Sequence, residues 1–175
     1  MIYVETSRLK LRDWKEEDIL SFMRMNSDDQ VMEFFLDKLS EEETLAFYHR
    51  IQKEFEDYGY GLYAVESKET GNFLGFVGFH NFAFQVDFAP GVEIGWRLCR
   101  NAWGKGYATE AASACLDYAR NHLLFKTVYS FTAIPNKRSA RVMQKIGMHF
   151  EKEFDHPLVK QGHWLRKHVL YKIEI

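Results

Sequence analysis

The chain has 175 residues, 46% apolar and 27% charged, with 23 basic against 25 acidic side chains and a net charge of −2. That length suits one domain spanning residues 1–175, and the balance lacks the cationic excess of phosphate-neutralising proteins, so no direct nucleic-acid partner is expected. No apolar run approaches the roughly 20 residues that cross a bilayer, and Met1 to Trp14 has no signal layout, so the expectation is a cytoplasmic protein without a membrane partner.

Val4 to Trp14 alternates apolar and charged residues around Leu9 and Leu11, the period of a half-buried strand. Asp13 and Glu16 have the spacing of a capping box and predict a helix through Ile19, Phe22 and Met23. A second box, Ser40 with Glu43, precedes Leu45, Tyr48, Ile51, Phe55 and Tyr58 at helical spacing, and Gly59 and Gly61 stop that helix. Leu62 to Glu66, Phe73 to Phe79 and Val92 to Leu98 then read as the strands of an antiparallel meander. Helical spacing returns at Ala108, Ala112, Cys115 and Ala119, followed by a strand from Val128 to Thr132 and a helix from Asn136 to Ile146 ended by Gly147. Met148 to Phe154 and Arg166 to Ile173 are the last strands, flanking a polar loop with His163 and Trp164. The sum is an α/β or α+β domain, a mixed sheet with helices packed on it. Cys99 and Cys115 have neither CxxC spacing nor a close His, so they read as packing residues and no metal is expected.

The most informative stretch is Trp103-Gly104-Lys105-Gly106-Tyr107-Ala108-Thr109-Glu110, which follows a strand and opens a helix. A first helical turn leaves backbone N–H groups unpaired, and glycines let a phosphate approach them closely. A pyrophosphate therefore fits across residues 104 to 109. The segment lacks GxxxxGK[ST] and the third Gly of a dinucleotide fingerprint, which leaves phosphate binding without ATP chemistry. Glycines that serve only the turn, and Asn136 and Ser139 as plain helix-opening residues, are the structural alternatives.

The order Val92-Glu93-Ile94-Gly95-Trp96, then the Gly-rich turn, then Asn136-Lys137-Arg138-Ser139, then Lys145-Ile146-Gly147-Met148 resembles the GNAT superfamily of acyl-CoA N-acyltransferases. Thr6-Ser7-Arg8-Leu9-Lys10-Leu11-Arg12 also looks like the opening strand of its RimJ/RimL branch, the ribosomal-protein N-terminal acetyltransferases. The resemblance implies a mixed, mostly antiparallel sheet of about seven strands with helices on both faces, splayed into a V between the family's fourth and fifth strands. Acetyl-CoA is the implied cosubstrate and an amine the implied acceptor. In the family's loop, Q/R-x-x-G-x-G/A, Trp103 takes the Q/R place, Gly106 the G and Ala108 the G/A, so Trp103 departs from the pattern while the backbone cradle of Gly104, Lys105, Gly106, Tyr107, Ala108 and Thr109 remains. By the same likeness the backbone of Trp96, Arg97 and Leu98 pairs with the pantetheine arm, and Asn136 lies near the thiol end.

Acetyl transfer to an amine requires a base for the amine, donors for the developing oxyanion and a hydrogen-bond donor for the thiolate. Glu93 lies between Val92 and Ile94 and points to the face opposite theirs, which makes it the candidate base, with a solvated or ion-paired carboxylate as its alternative role. Many superfamily members carry a Tyr seven residues after the Asn, but Met143 stands there and cannot donate. The branch resemblance places Ser139 at that task, also as a cosubstrate contact. Phe34, Phe35, Phe82, Phe84 and Phe88 read as core or dimer surface more than as substrate walls, and a homodimer is the guess from that surface and the branch. The acidic pair Asp28 and Asp29 reads as solvated. A non-catalytic acyl-CoA-binding module and a nucleotide-binding protein are the rival readings.

Overall fold

Where one strand was expected at the start of the chain there are two, and the reason lies in the turn between them. A computed structural model describes residues Met1–Ile175 and shows β1 (Ile2–Glu5) and β2 (Leu9–Arg12) paired antiparallel. The turn has no Gly or Pro; the Thr6 hydroxyl holds it by accepting the Leu9 amide at 2.9 Å. The sheet therefore has eight strands, not about seven.

Helix α1 (Asp18–Asn26) also begins differently, because Asp13 accepts the Tyr3 hydroxyl at 2.6 Å instead of capping. Asp18 supplies the anion at the helix start: it accepts the Lys15 amide and, bidentately at 2.7 and 2.9 Å, the Arg12 guanidinium. Arg12 Nε reaches Glu66 at 2.6 Å, and all three side chains are buried. Arg12 is the one cation on Asp18, so Arg12→Ala leaves that carboxylate buried without its partner and is expected to cost about 3–5 kcal/mol in urea unfolding. Helix α2 (Glu41–Tyr58) has the expected reciprocal Ser40–Glu43 box and ends at Gly59.

β3 (Leu62–Ser67), β4 (Phe73–Phe82) and β5 (Gly91–Leu98) form the antiparallel meander. They are followed by α3 (Tyr107–His122), β6 (Thr127–Ala133), α4 (Lys137–Lys145), β7 (His149–Asp155) and β8 (Lys167–Glu174). Strand order is β1-β2-β3-β4-β5-β6-β8-β7, antiparallel throughout except at β5–β6. Alternation along each strand sends side chains to two layers. Val92, Ile94 and Leu98 join Cys115, Leu116 and Met143 in the core under α3 and α4. Ala64 and Phe76 join Phe22 and Ile51 under α1 and α2, with Cys99 packed against them. Helices thus cover both faces, and both cysteines are packing residues.

The parallel pair β5–β6 matters most for function. Its register holds at a single position, Glu93 opposite Tyr129, with the Ser130 hydroxyl donating to the Ile94 carbonyl at 2.9 Å just beyond. Past that point the strands part, and β5 turns its unpaired edge to a gap in the middle of the sheet.

Candidate active site

The gap opens into a cleft of ≈700 Å³ lined by β5, the turn after it, the start of α3, β6 and α4. Glu93, Trp96, Arg97, Leu98, Trp103, Gly104, Gly106, Tyr107, Ala108, Thr109, Asn136 and Ser139 all line it. Lys105 does not; its carbonyl accepts the Arg8 guanidinium at 2.8 Å. Of the aromatic set, Phe34 and Phe35 form cleft wall, whereas Phe82, Phe84 and Phe88 pack behind it on Tyr129, Phe131 and Phe154. Trp164 lies outside the wall, exposed, with its ring 6.2 Å from that of Phe34. Asp28 and Asp29 are spent locally, Asp28 on the Gln30 amide and Asp29 on Lys38.

At one end of the cleft, Gly104 and Gly106 take left-handed conformations, φ +73° and +78°, so the chain turns sharply into α3. No backbone carbonyl or capping side chain accepts the amides from Gly104 to Thr109. A full-length helix beginning in unpaired N–H groups over open space suits a diphosphate. The turn is braced from across the sheet: Glu110 accepts the Thr6 hydroxyl at 2.5 Å and Arg8 Nε at 2.7 Å. Burial alone would raise the Glu110 pKa, but these bonds and the Arg8 charge hold it below the ordinary carboxylate range. The Arg138 guanidinium stacks 3.9 Å from the Trp103 ring, so Trp103 holds a cation beside the turn where the family pattern has a polar side chain.

Midway along the cleft, Asn136 caps α4 by accepting the Ser139 amide at 3.3 Å and donates to Thr132 Oγ1 at 3.0 Å. The Ser139 hydroxyl accepts the Trp96 indole N–H at 3.1 Å. With that lone pair engaged, its own proton is free to point into the cleft. This side-chain role of Trp96 is not readable from sequence, where only its backbone is implicated.

Glu93 sits on the cleft floor opposite His80 in the β4–β5 register. Desolvation pushes its pKa up to about 7, with His80 opposing and Glu54 adding to the rise. His80 is itself held above its usual range by a 3.0 Å contact with Glu54. Deeper on the other wall, His156 and His168 are depressed by burial, His168 to about 4. No group of His, Cys, Asp and Glu side chains has the arrangement of a metal site.

The sequence profile of the acetyltransferase (GNAT) domain matches residues 8–149, most of the chain. The chain belongs to the GNAT acetyltransferase family. Among the relatives of this acetyltransferase is the uncharacterized protein YkkB of Bacillus subtilis, 36% identical over 84% of this chain and 85% of its own length. An acetyltransferase of the GNAT family from Bacillus anthracis superposes with a TM-score of 0.81 at 26% identity, covering 99% of this chain and 98% of that one. RimL, a ribosomal L7/L12 alpha-N-protein acetyltransferase solved with coenzyme A, shares the fold at a TM-score of 0.80 and 17% identity, covering 100% and 98% of the two chains. The expected family and fold class are thus borne out, and no helix is long and apolar enough to cross a membrane.

Proposed function

We propose that this acetyltransferase moves an acetyl group from acetyl-CoA to a primary amine by direct attack in a ternary complex, within the RimJ/RimL-like branch. The observation that carries the reading is the coincidence, in one cleft, of the unpaired amides of Gly104 and of Gly106 to Thr109, the open β5 edge and the desolvated Glu93. Bound acetyl-CoA supplies an activated thioester. The Gly104 to Thr109 amides hold its diphosphate, with Arg138 beside them, and the β5 backbone from Trp96 to Leu98 holds its pantetheine arm and the thioester oxygen. Glu93 takes a proton from the attacking amine, directly or through water. The Ser139 hydroxyl donates a hydrogen bond to the departing sulfur, oriented by Trp96.

Two measurements on one preparation test this: calorimetric titration with acetyl-CoA, and thiol release over N-terminal peptides, amino acids, polyamines and aminoglycosides. Binding with thiol release on one amine class is expected. Binding without release on any class overturns the transferase reading, and no binding overturns the cradle at Gly104 to Thr109.

Ser139→Ala is expected to lower kcat about 10- to 100-fold, the worth of one hydrogen bond to a charged group. Trp96→Phe lowers it less, and the double variant is no worse than Ser139→Ala alone, because the indole acts through the hydroxyl.

A further inference from the structure

Two arginines are drawn out of solvent, and they are treated differently: Arg12 is buried, and Arg97 is half-buried with its Nε enclosed. Arg12 is matched by two carboxylates, Asp18 and Glu66. Arg97 has none: it donates once, to Asn26 Oδ1 at 2.7 Å, and its Nε is buried without a partner. Aromatic faces take the rest, with Phe35, Phe76 and Phe47 centroids 4.2, 5.3 and 5.7 Å from the guanidinium carbon. Desolvation with no compensating anion pushes its pKa down to about 10, so it is still charged at neutral pH. For packing alone, Leu or Met on this strand would fill the space without an unmatched charge.

The position of Arg97 in the cleft gives that charge a use. Strand alternation puts Glu93, Gly95 and Arg97 on one face, the side of α1 and α2, away from α3. All three line the cleft. Above Gly95 the floor is open: the one atom within 4 Å of where its Cβ would stand is Glu93 Oε1, at 3.8 Å. The other permanent cations on the cleft wall, Arg138, Arg141 and Lys145, belong to α4, and Arg138 is committed to the Trp103 end. His156 and His168 are neutral at pH 7 by burial. Glu93 is the lone carboxylate of the wall, too few for a polycation.

Resting on the transferase reading, we propose that the acceptor is an amine bearing its own carboxylate, lying across Gly95 with its amine toward Glu93 and its carboxylate on Arg97. A guanidinium fork meets the two oxygens of a carboxylate in a plane, which an ammonium cannot do. The β5 rise separates the Glu93 and Arg97 Cα atoms by about 13 Å, which sets the two ligand charges apart along a chain. A free ω-amino acid and a peptide N-terminus with a nearby acidic side chain present the same chemistry.

The test reads binding before turnover. Protein loaded with CoA is titrated calorimetrically with 6-aminohexanoate against hexylamine, and with a short peptide carrying Asp behind its N-terminus against the Asn peptide. The expected result is at least tenfold tighter binding of the carboxylate member of one pair, which also names the source. Arg97→Gln brings that ratio near one, and Arg97→Lys, which keeps the charge without the fork, retains part of it and controls for folding. Equal binding within both pairs, or a preference that survives Arg97→Gln, overturns the proposal. Thiol release from acetyl-CoA is scored separately, so a carboxylate preference without turnover overturns the transferase reading and leaves the Arg97 site standing.

Discussion

Glu93→Gln lowers kcat by about 10²- to 10⁴-fold, the range lost with a positioned general base, while acetyl-CoA binding falls little, because the cradle lies at the other end of the cleft. The pH profile distinguishes a base from a merely structural carboxylate. Burial raises the Glu93 pKa to about 7, and a base works only when deprotonated, so the wild-type rate climbs as pH rises through about 7. Glu93→Gln loses that limb; what remains follows ionisation of the amine itself. His80 refines the test, because Glu54 holds its pKa above the usual range and its charged form opposes the rise. His80→Gln removes that opposition, and the limb moves to higher pH. A profile of Glu93→Gln that keeps the same limb would take Glu93 out of the mechanism.

What the sequence made legible is what local chemistry decides. The Ser40–Glu43 box is satisfied within its own turn, and the alternation around Glu93 is a property of any strand, so both are found as expected. The Gly-rich turn is also local, since its unpaired amides follow from helix geometry. The readings that differ depend on partners far along the chain. Thr6 turns the first hairpin while bonded to Glu110, and Asp13 is drawn from its expected cap by Tyr3. Spacing cannot reveal that the Asp18 carboxylate receives Arg12, because that depends on β2 lying beside β3, where Glu66 completes the cluster. Arg97 is the sharpest case: as sequence it is a strand residue whose backbone borders the cofactor gap. Its guanidinium without a carboxylate emerges only when Asn26, Phe35, Phe47 and Phe76 close around it from four other parts of the chain.

The cradle has a matched control elsewhere in the fold. Gly104 and Gly59 share nearly the same left-handed backbone, φ +73° and +74°, and a Cβ added at either meets nothing within 4 Å. An L residue in that conformation is disfavoured by about 1–2 kcal/mol, so Gly104→Ala and Gly59→Ala are expected to lose similar stability in denaturant unfolding. Their effects on acetyl-CoA part company. Gly59 ends α2, away from the cleft, and its replacement leaves the calorimetric Kd unchanged. At Gly104 the strain pulls the neighbouring amides off their aim, and the new methyl group stands where a diphosphate has to approach; the Kd rises at least tenfold, with kcat at saturating acetyl-CoA less affected. Equal Kd values for the two variants would mean that the open space over Gly104 is incidental and that the diphosphate is held by the cations of α4 instead. Because both substitutions cost the same backbone energy, a difference in Kd reports the ligand and not the fold.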